Sequence, residues 1–204
     1  MIRIVDNANR TRYAKSLDQH FQMRHKIFVQ ERGWTQFEQG TIETDAYDNA
    51  HTIYGLAIDH QDDVVGCFRL YPTTLPHMMS EHFAWMVDGP VPQRPDLLEA
   101  SRYSIMQGRR DSRTYQELFL GIVEYCLSQG ITGATALART LRVPVLQSIG
   151  MIVRPLGLPA DVDGESNVAV LMETSEESLA RIRKNAGVVG SVLESTETLA
   201  NRVA

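Results

Sequence analysis

Three arginines stand where an apolar chain should carry none, and they limit how this sequence can fold. Arg69 lies inside the run Val64-Val65-Gly66-Cys67-Phe68-Arg69-Leu70. Arg24 interrupts the apolar stripe of a leading helix, four residues before Phe28, and Arg102 follows Glu99 at the start of a later strand. An isolated charge in a half-buried element is costly unless it is paired. Asp45 and Asp48 lie in the polar stretch between the first helix and the first strands and are available as partners. A fold that gathers the arginines with these acids satisfies all of them. Spacing alone allows two readings of such a cluster, a structural ion-pair network or part of a functional site.

Periodicity supplies the frame around that cluster. Tyr13, Leu17, Phe21 and Phe28 recur at helical spacing, with Met23 and Ile27 widening the face, so residues 11 to about 30 read as one amphipathic helix. Residues 33–49 read as a long loop, a form that often carries function, and Trp34 and Phe37 beside it can line an aromatic pocket. Strands are expected over 51–59 and 64–71, joined by a turn, then over 98–106, 131–138, 151–155 and 167–173. A helical turn is expected at 78–83, and helices over 114–129 (stopped by Gly130), 141–149 and 175–185. The tail, 186–204, is weakly patterned. This order predicts an α/β sandwich with strands of mixed direction, built as a single domain over residues 1–204.

Composition removes several function classes. A formal net charge of -5 gives no global basic field for nucleic acid. No apolar run approaches the roughly 18 residues of a spanning helix, and no basic-then-apolar leader opens the chain, so a cytoplasmic protein without a membrane partner is expected. Cys67 and Cys126, in apolar runs, read as buried reduced thiols. The six histidines are scattered, with His77 and His82 flanking a turn, and no metal site is expected.

Several separately spaced matches then carry a resemblance. They are Arg24-x-x-x-Phe28, Glu31-x-x-Trp34, Glu43-x-Asp45-x-x-Asp48, Gly66-x-x-Arg69-Leu70-x-Pro72-Thr73, Met78-Met79, Phe83 and Glu99-Ala100-Ser101-Arg102. In order and spacing this stretch resembles the acyl-homoserine lactone (autoinducer) synthases; beyond Arg102 the likeness thins to Gly150, Leu156-Gly157-Leu158-Pro159 and 169–171. The family usually has Leu where Ala100 stands, a packing change on the face opposite its neighbours. The resemblance implies an N-acetyltransferase-like three-layer sandwich around a mixed, V-splayed sheet, the splayed strands being those at 98–106 and 131–138. It also implies a two-part reaction. The amine of S-adenosylmethionine attacks an acyl thioester, and its carboxylate then displaces methylthioadenosine to close a lactone. Both compounds are substrates, and no cofactor is implied.

The resemblance also distributes roles. Glu99 is the expected general base, with Glu43 as runner-up on the loop. Backbone N–H groups near Arg102–Ser104 suit the oxyanion, and Ser101 or Ser104 as a nucleophile is disfavoured because no Gly-x-Ser-x-Gly elbow or placed histidine accompanies either. Arg24, Arg69 or Arg102 grips the substrate carboxylate, Asp45 binds its amine, Asp48 pairs with an arginine, and Phe28 and Trp34 close over the adenosylmethionine. Met79, Phe83, Leu118, Ile122, Thr135 and Leu146 are candidates to line the acyl chain. Arg109, Arg110, Arg113, Arg139, Arg142 and Arg154 are candidates to dock coenzyme A or an acidic acyl-carrier protein. The stretch Leu156-Gly-Leu-Pro-x-Asp161-x-Asp163-Gly164 tilts the donor toward acyl-coenzyme A. Two rivals remain: an ordinary coenzyme A-dependent N-acetyltransferase, disfavoured by the single glycine in residues 106–111, and a non-catalytic binding homologue, disfavoured by the intact acids and arginines.

Overall fold

A computed structural model describes residues 1–109 and 112–194, which form two compact units threaded alternately by the chain. The first unit takes residues 1–69, 102–121 and the described residues from 190 onward. It contains β1 (Ile2–Val5), α1 (Ala14–Arg24), β2 (Glu38–Gln39), β3 (Ile42–Glu43), β4 (Ile53–Ile58), most of β5 (Val64–Pro72), the end of β6 (Leu97–Ile105) and the first half of α3 (Ser112–Ser128). Its strands run in the order β1-β4-β5-β6, with β1 antiparallel to β4 from Ile2↔Ala57 to Val5↔Tyr54. Leu17, Met23 and Ile27 from the helical side meet Tyr54, Leu56, Val64 and Cys67 from the strands in one buried cluster.

Three local expectations change here. The leading helix is α-helical only over Ala14–Arg24 and continues as a π-helix over His25–Glu31. Ile27, Phe28 and Val29 are consecutive and all buried, an arc of about 200° on an α-helix, which one α-helical face does not hide. The expected loop contains a 3₁₀ turn at Thr35–Phe37 and the two-residue hairpin β2–β3. Strand β1 was not expected. Arg3 breaks its apolar run, yet this side chain is buried and held by Glu194 and Asp62.

The second unit takes residues 70–101 and 122–189. It holds the end of β5, the start of β6, α2 (Met78–His82), the rest of α3, β7 (Gly133–Arg139), α4 (Val143–Ser148), β8 (Ile152–Pro155), β9 (Ala160–Val162), β10 (Glu165–Glu173) and α5 (Glu176–Ala186). Strand β10 is antiparallel to β7, β8 and β9, whereas β6 and β7 are parallel, so the sheet is mixed as expected. Strand β9, also unforeseen, is three residues long and half-exposed, below what alternation can reveal.

The β6–β7 ladder is short. It runs from Leu97↔Gly133 to Glu99↔Thr135 and stops, although β7 continues to Arg139 and stays paired with β10 over its whole length. A parallel pair that ends after three residues is what the V-splay requires. Helix α5 is locally determined. Ser175 caps its N-terminus by accepting from the Ser178 N–H, Glu176 and Glu177 open it, Arg183 and Lys184 close it, and Gly187 takes the left-handed C-cap.

Candidate active site

In the first unit the three arginines do meet acids, and they do so as a closed ring. Arg24 and Arg69 are 0% exposed and Arg102 7%. Arg24 bonds Glu43 at 2.5 Å and holds Asp48 with both terminal nitrogens, at 2.7 and 2.9 Å. Arg102 takes the other oxygen of Glu43 at 2.8 Å and Asp45 at 2.6 Å. Arg69 completes the circuit with Asp45 at 2.5 Å and Asp48 at 3.2 Å. Each carboxylate therefore bridges two guanidiniums, and three positive charges face three negative ones. Bidentate, alternating contact of this kind offsets the desolvation that burial imposes.

The protonation states follow from these contacts. Burial alone would raise the Asp48 carboxyl, but the hydrogen bonds and charge of Arg24, with Arg69 behind it, hold it well below the usual range. Burial also works against the Arg24 cation, and Asp48 and Glu43 outweigh it, so its proton is held more tightly than usual. Arg102 differs. Burial lowers it, and Asp45 and Glu43 only partly compensate. Tyr54, which the sequence did not single out, donates its hydroxyl to Asp48 at 2.9 Å, and burial together with that carboxylate raises its pKa.

Aromatic rings pack on the Arg102 side of the ring. Phe28 and Trp34 stack at 5.1 Å with 15° between planes, and the Arg102 guanidinium lies 5.4 Å from each and 4.9 Å from Phe37. Trp34 and Phe37 remain half-exposed, whereas Phe28 is buried. A hollow of about 410 Å³ opens in the same unit, walled by Asp18, Phe21, Asp45, Asp48, Tyr54 and Arg10. Two members of the ring, Asp45 and Asp48, thus line a cavity of ligand size.

His20 lies against Phe21 and Tyr54, at 5.0 and 4.9 Å between ring centroids, with neither ring nitrogen hydrogen-bonded among the described residues. Burial, and then the nearby Arg24 charge, lowers its pKa well below 6.5, so the folded chain keeps it neutral. The unfolded chain protonates it below about 6.5 and gains those protons on unfolding, so stability falls as pH drops through that value. A His20→Leu chain is expected to be more stable at neutral pH by about 1–3 kcal/mol, through removal of two unsatisfied polar atoms. Its urea midpoint should also fall less steeply than the parent's between about pH 6.5 and 5. Parallel midpoint–pH curves for the two chains would sink this account.

In the second unit, Glu99 is 2% exposed, and its two carboxylate oxygens accept the N–H groups of Met79 at 2.7 Å and Met78 at 3.0 Å. These are the first residues of α2, whose capping box joins His77 and Ser80. Ser101, on the same strand as Glu99, is half-buried. Of the expected acyl-lining residues, Met79, Phe83, Ile122, Thr135 and Leu146 fall in this unit, and Leu118 falls in the first, 3.1 Å from where a Cβ at Gly66 would stand. Met79 packs with Met86 and Ala169, and with half-buried Phe83 and Leu137. The Thr135 hydroxyl is 3.5 Å from the Leu98 carbonyl, at the end of the β6–β7 ladder.

The basic candidates scatter. Arg109 pairs with Asp59 and Arg113 with Glu117 in the first unit. Arg139 pairs with Glu165 and Arg154 with Glu173 in the second, where Arg142 is exposed. Arg110 lies outside the described residues. Ser104 has its hydroxyl against Cys67 and is 5% exposed, so its side chain is a structural partner. Among the described residues, no group of three His, Cys, Asp or Glu side chains is arranged to hold a metal, and no helix is long and apolar enough to cross a membrane.

A mixed sheet whose parallel central pair parts after three residues has the N-acetyltransferase-like fold. An acyl-CoA N-acyltransferase from Pseudomonas aeruginosa shares that fold at a TM-score of 0.56, with 13% identity over 84% of this chain and 97% of its own. The chain belongs to the autoinducer synthase family, whose family model matches residues 8–182. It is 38% identical over 191 residues to an isovaleryl-homoserine lactone synthase of Bradyrhizobium diazoefficiens, spanning 92% of this chain and 86% of that one. The coenzyme A-dependent acyl-homoserine lactone synthase BjaI, solved with SAM and isopentyl-CoA, superposes at a TM-score of 0.90 with 34% identity, over 100% of this chain and 99% of BjaI. A second coenzyme A-dependent synthase, MesI, gives 0.89 with 30% identity over 96% and 100%.

Proposed function

We propose that this chain makes an acyl-homoserine lactone from S-adenosylmethionine and an acyl-coenzyme A, with Glu99 as the base of the acyl transfer. The observation that carries the donor assignment is likeness along the whole chain to coenzyme A-dependent synthases. The attacking amine must first lose a proton, because an ammonium has no lone pair. Glu99 is a carboxylate fixed in place by the Met78 and Met79 N–H groups, and a positioned carboxylate can take that proton directly or through one water. Glu43 is a poorer base. It is 0% exposed, and both its oxygens are already held by guanidiniums. The amine lone pair then forms the C–N bond, the oxyanion sits on backbone N–H groups around Arg102–Ser104, and the thiolate of coenzyme A leaves.

Lactone closure is an internal displacement. The substrate carboxylate forms a C–O bond at the γ-carbon, and the C–S electron pair leaves with sulfur as neutral methylthioadenosine. The protein's task is to hold the carboxylate in line and keep water away. All three arginines hold the ring; Arg24 and Arg69, both 0% exposed, frame the site. Arg102 among the cations, with Asp45 and Asp48 on the wall of the hollow, is assigned to the substrate's charged end. Half-exposed Trp34 offers a face to the sulfonium. The arginines around β7 and β8 suit the phosphates of coenzyme A. The reaction draws on no cofactor, and we place it in the cytoplasm, where the free Cys67 and Cys126 stay reduced.

The test is an incubation of the purified chain with S-adenosylmethionine and parallel panels of acyl-coenzyme A and acyl-carrier-protein thioesters, read by mass spectrometry. Methylthioadenosine and a lactone should appear together with a coenzyme A donor. Product from carrier-protein donors alone would overturn the donor assignment, and no product from either panel would overturn the synthase reading.

A further inference from the structure

The thiol of Cys67 sits against the most unusual backbone in β6. Arg102 has a φ of +51° in the middle of a nine-residue strand, a left-handed conformation that non-glycine residues rarely adopt. The Cys67 Sγ is 3.3 Å from the Arg102 carbonyl oxygen and 3.2 Å from the Ser104 hydroxyl. A thiol has one proton. With that proton on the carbonyl, sulfur is left to accept from Ser104, giving a directed chain from Ser104 Oγ–H to Cys67 Sγ–H to the Arg102 carbonyl. Cys67 is 0% exposed and Ser104 5%. Burial pushes the thiol up to about 11, more than Ser104 lowers it, so the S–H donor is present at neutral pH.

Placement links this chain to the ring. Strand alternation puts Cys67 on the same face of β5 as Arg69, two residues on, and Ser104 on the same face of β6 as Arg102. From Ser101 to Ser104 the burial of β6 alternates, with Arg102 and Ser104 inside and Tyr103 half-exposed. The turned backbone sets that phase. An ordinary extended φ at Arg102 would swing its guanidinium away from Glu43 and Asp45. We infer that Cys67 and Ser104 are positioning residues, which hold the Arg102 backbone turned so that its guanidinium faces the substrate. This inference rests on the synthase reading proposed above.

The experiment compares Cys67→Val, Cys67→Ser and Ser104→Ala in the full chain. Valine keeps the volume and loses the donor, whereas serine keeps the donor. With Cys67→Val, KM for S-adenosylmethionine should rise and kcat fall, each on the order of tenfold, while KM for the acyl-coenzyme A stays unchanged. Cys67→Ser should restore both constants, and Ser104→Ala should shift them in the same direction by less. A crystal structure of Cys67→Val should show Arg102 at negative φ and parted from Glu43. Unchanged constants in Cys67→Val, equal impairment in the valine and serine variants, or a retained Arg102 φ would each overturn the inference. Should the valine variant fail to fold, Ser104→Ala carries the same test, with wild-type constants overturning it. If the parent chain makes no lactone, the synthase reading has failed, and the Arg102 conformation in the variant still decides whether Cys67 holds the strand.

Discussion

A Glu99→Gln chain is expected to fold and to make lactone 10²- to 10⁴-fold more slowly, roughly what a positioned base contributes. An amide cannot take a proton from the ammonium, so the variant must wait for the small free-amine fraction in solution. Its rate should therefore climb with pH, by up to about tenfold per unit well below the amine's own pKa of about 8 and levelling off above it, while the parent's stays flat. The substitution also has a structural cost. The glutamine oxygen can serve one of the Met78 and Met79 N–H groups, but its own NH₂ then faces the other, donor against donor. Leaving one of them unsatisfied costs about 1–3 kcal/mol, so a lower melting temperature should accompany the lost activity. Turnover at saturating substrates and a melting curve separate the two effects. A folded variant with the parent's rate and flat pH profile would remove Glu99 from the chemistry.

How much of this was legible beforehand depends on the range over which each feature is determined. Helix α5 carries its cap, its terminal charges and its stop in consecutive residues, and it falls where expected. The apolar run around Arg69 could only be a strand with an unusual need, and that need pointed to the cluster. The closure of the ring was not legible. Glu43 is 59 residues from Arg102 and sits on a two-residue strand, with no periodicity to mark its face. Tyr54 reads as an ordinary aromatic strand residue until its hydroxyl is seen on Asp48. The shift from α to π winding after Arg24 and the turned backbone of Arg102 are tertiary outcomes. Both lie beside residues assigned to function, where local preference is most often overridden.

Removing one cation from the ring should be far more damaging than removing a cation together with an anion. In an Arg24→Met chain, Glu43 and Asp48 each lose one guanidinium, and the buried cluster is left with two positive charges against three negative ones. Breaking a buried pair in this way costs about 3–5 kcal/mol, because an uncompensated charge stays in low dielectric. Against a total of about 5–15 kcal/mol, that is enough to leave the chain marginal. Adding Asp48→Asn restores balance at two against two. Arg69 keeps Asp45, Arg102 keeps Glu43 and Asp45, and the Tyr54 hydroxyl still finds an acceptor in the new amide oxygen. The double variant should therefore be more stable than Arg24→Met alone, a coupling of about 0.5–3 kcal/mol between residues in direct contact. Urea unfolding of the parent, both single variants and the double variant measures it. If Arg24→Met unfolds with the parent's midpoint, or if the two losses simply add, the six residues act as independent pairs and the ring has no collective role.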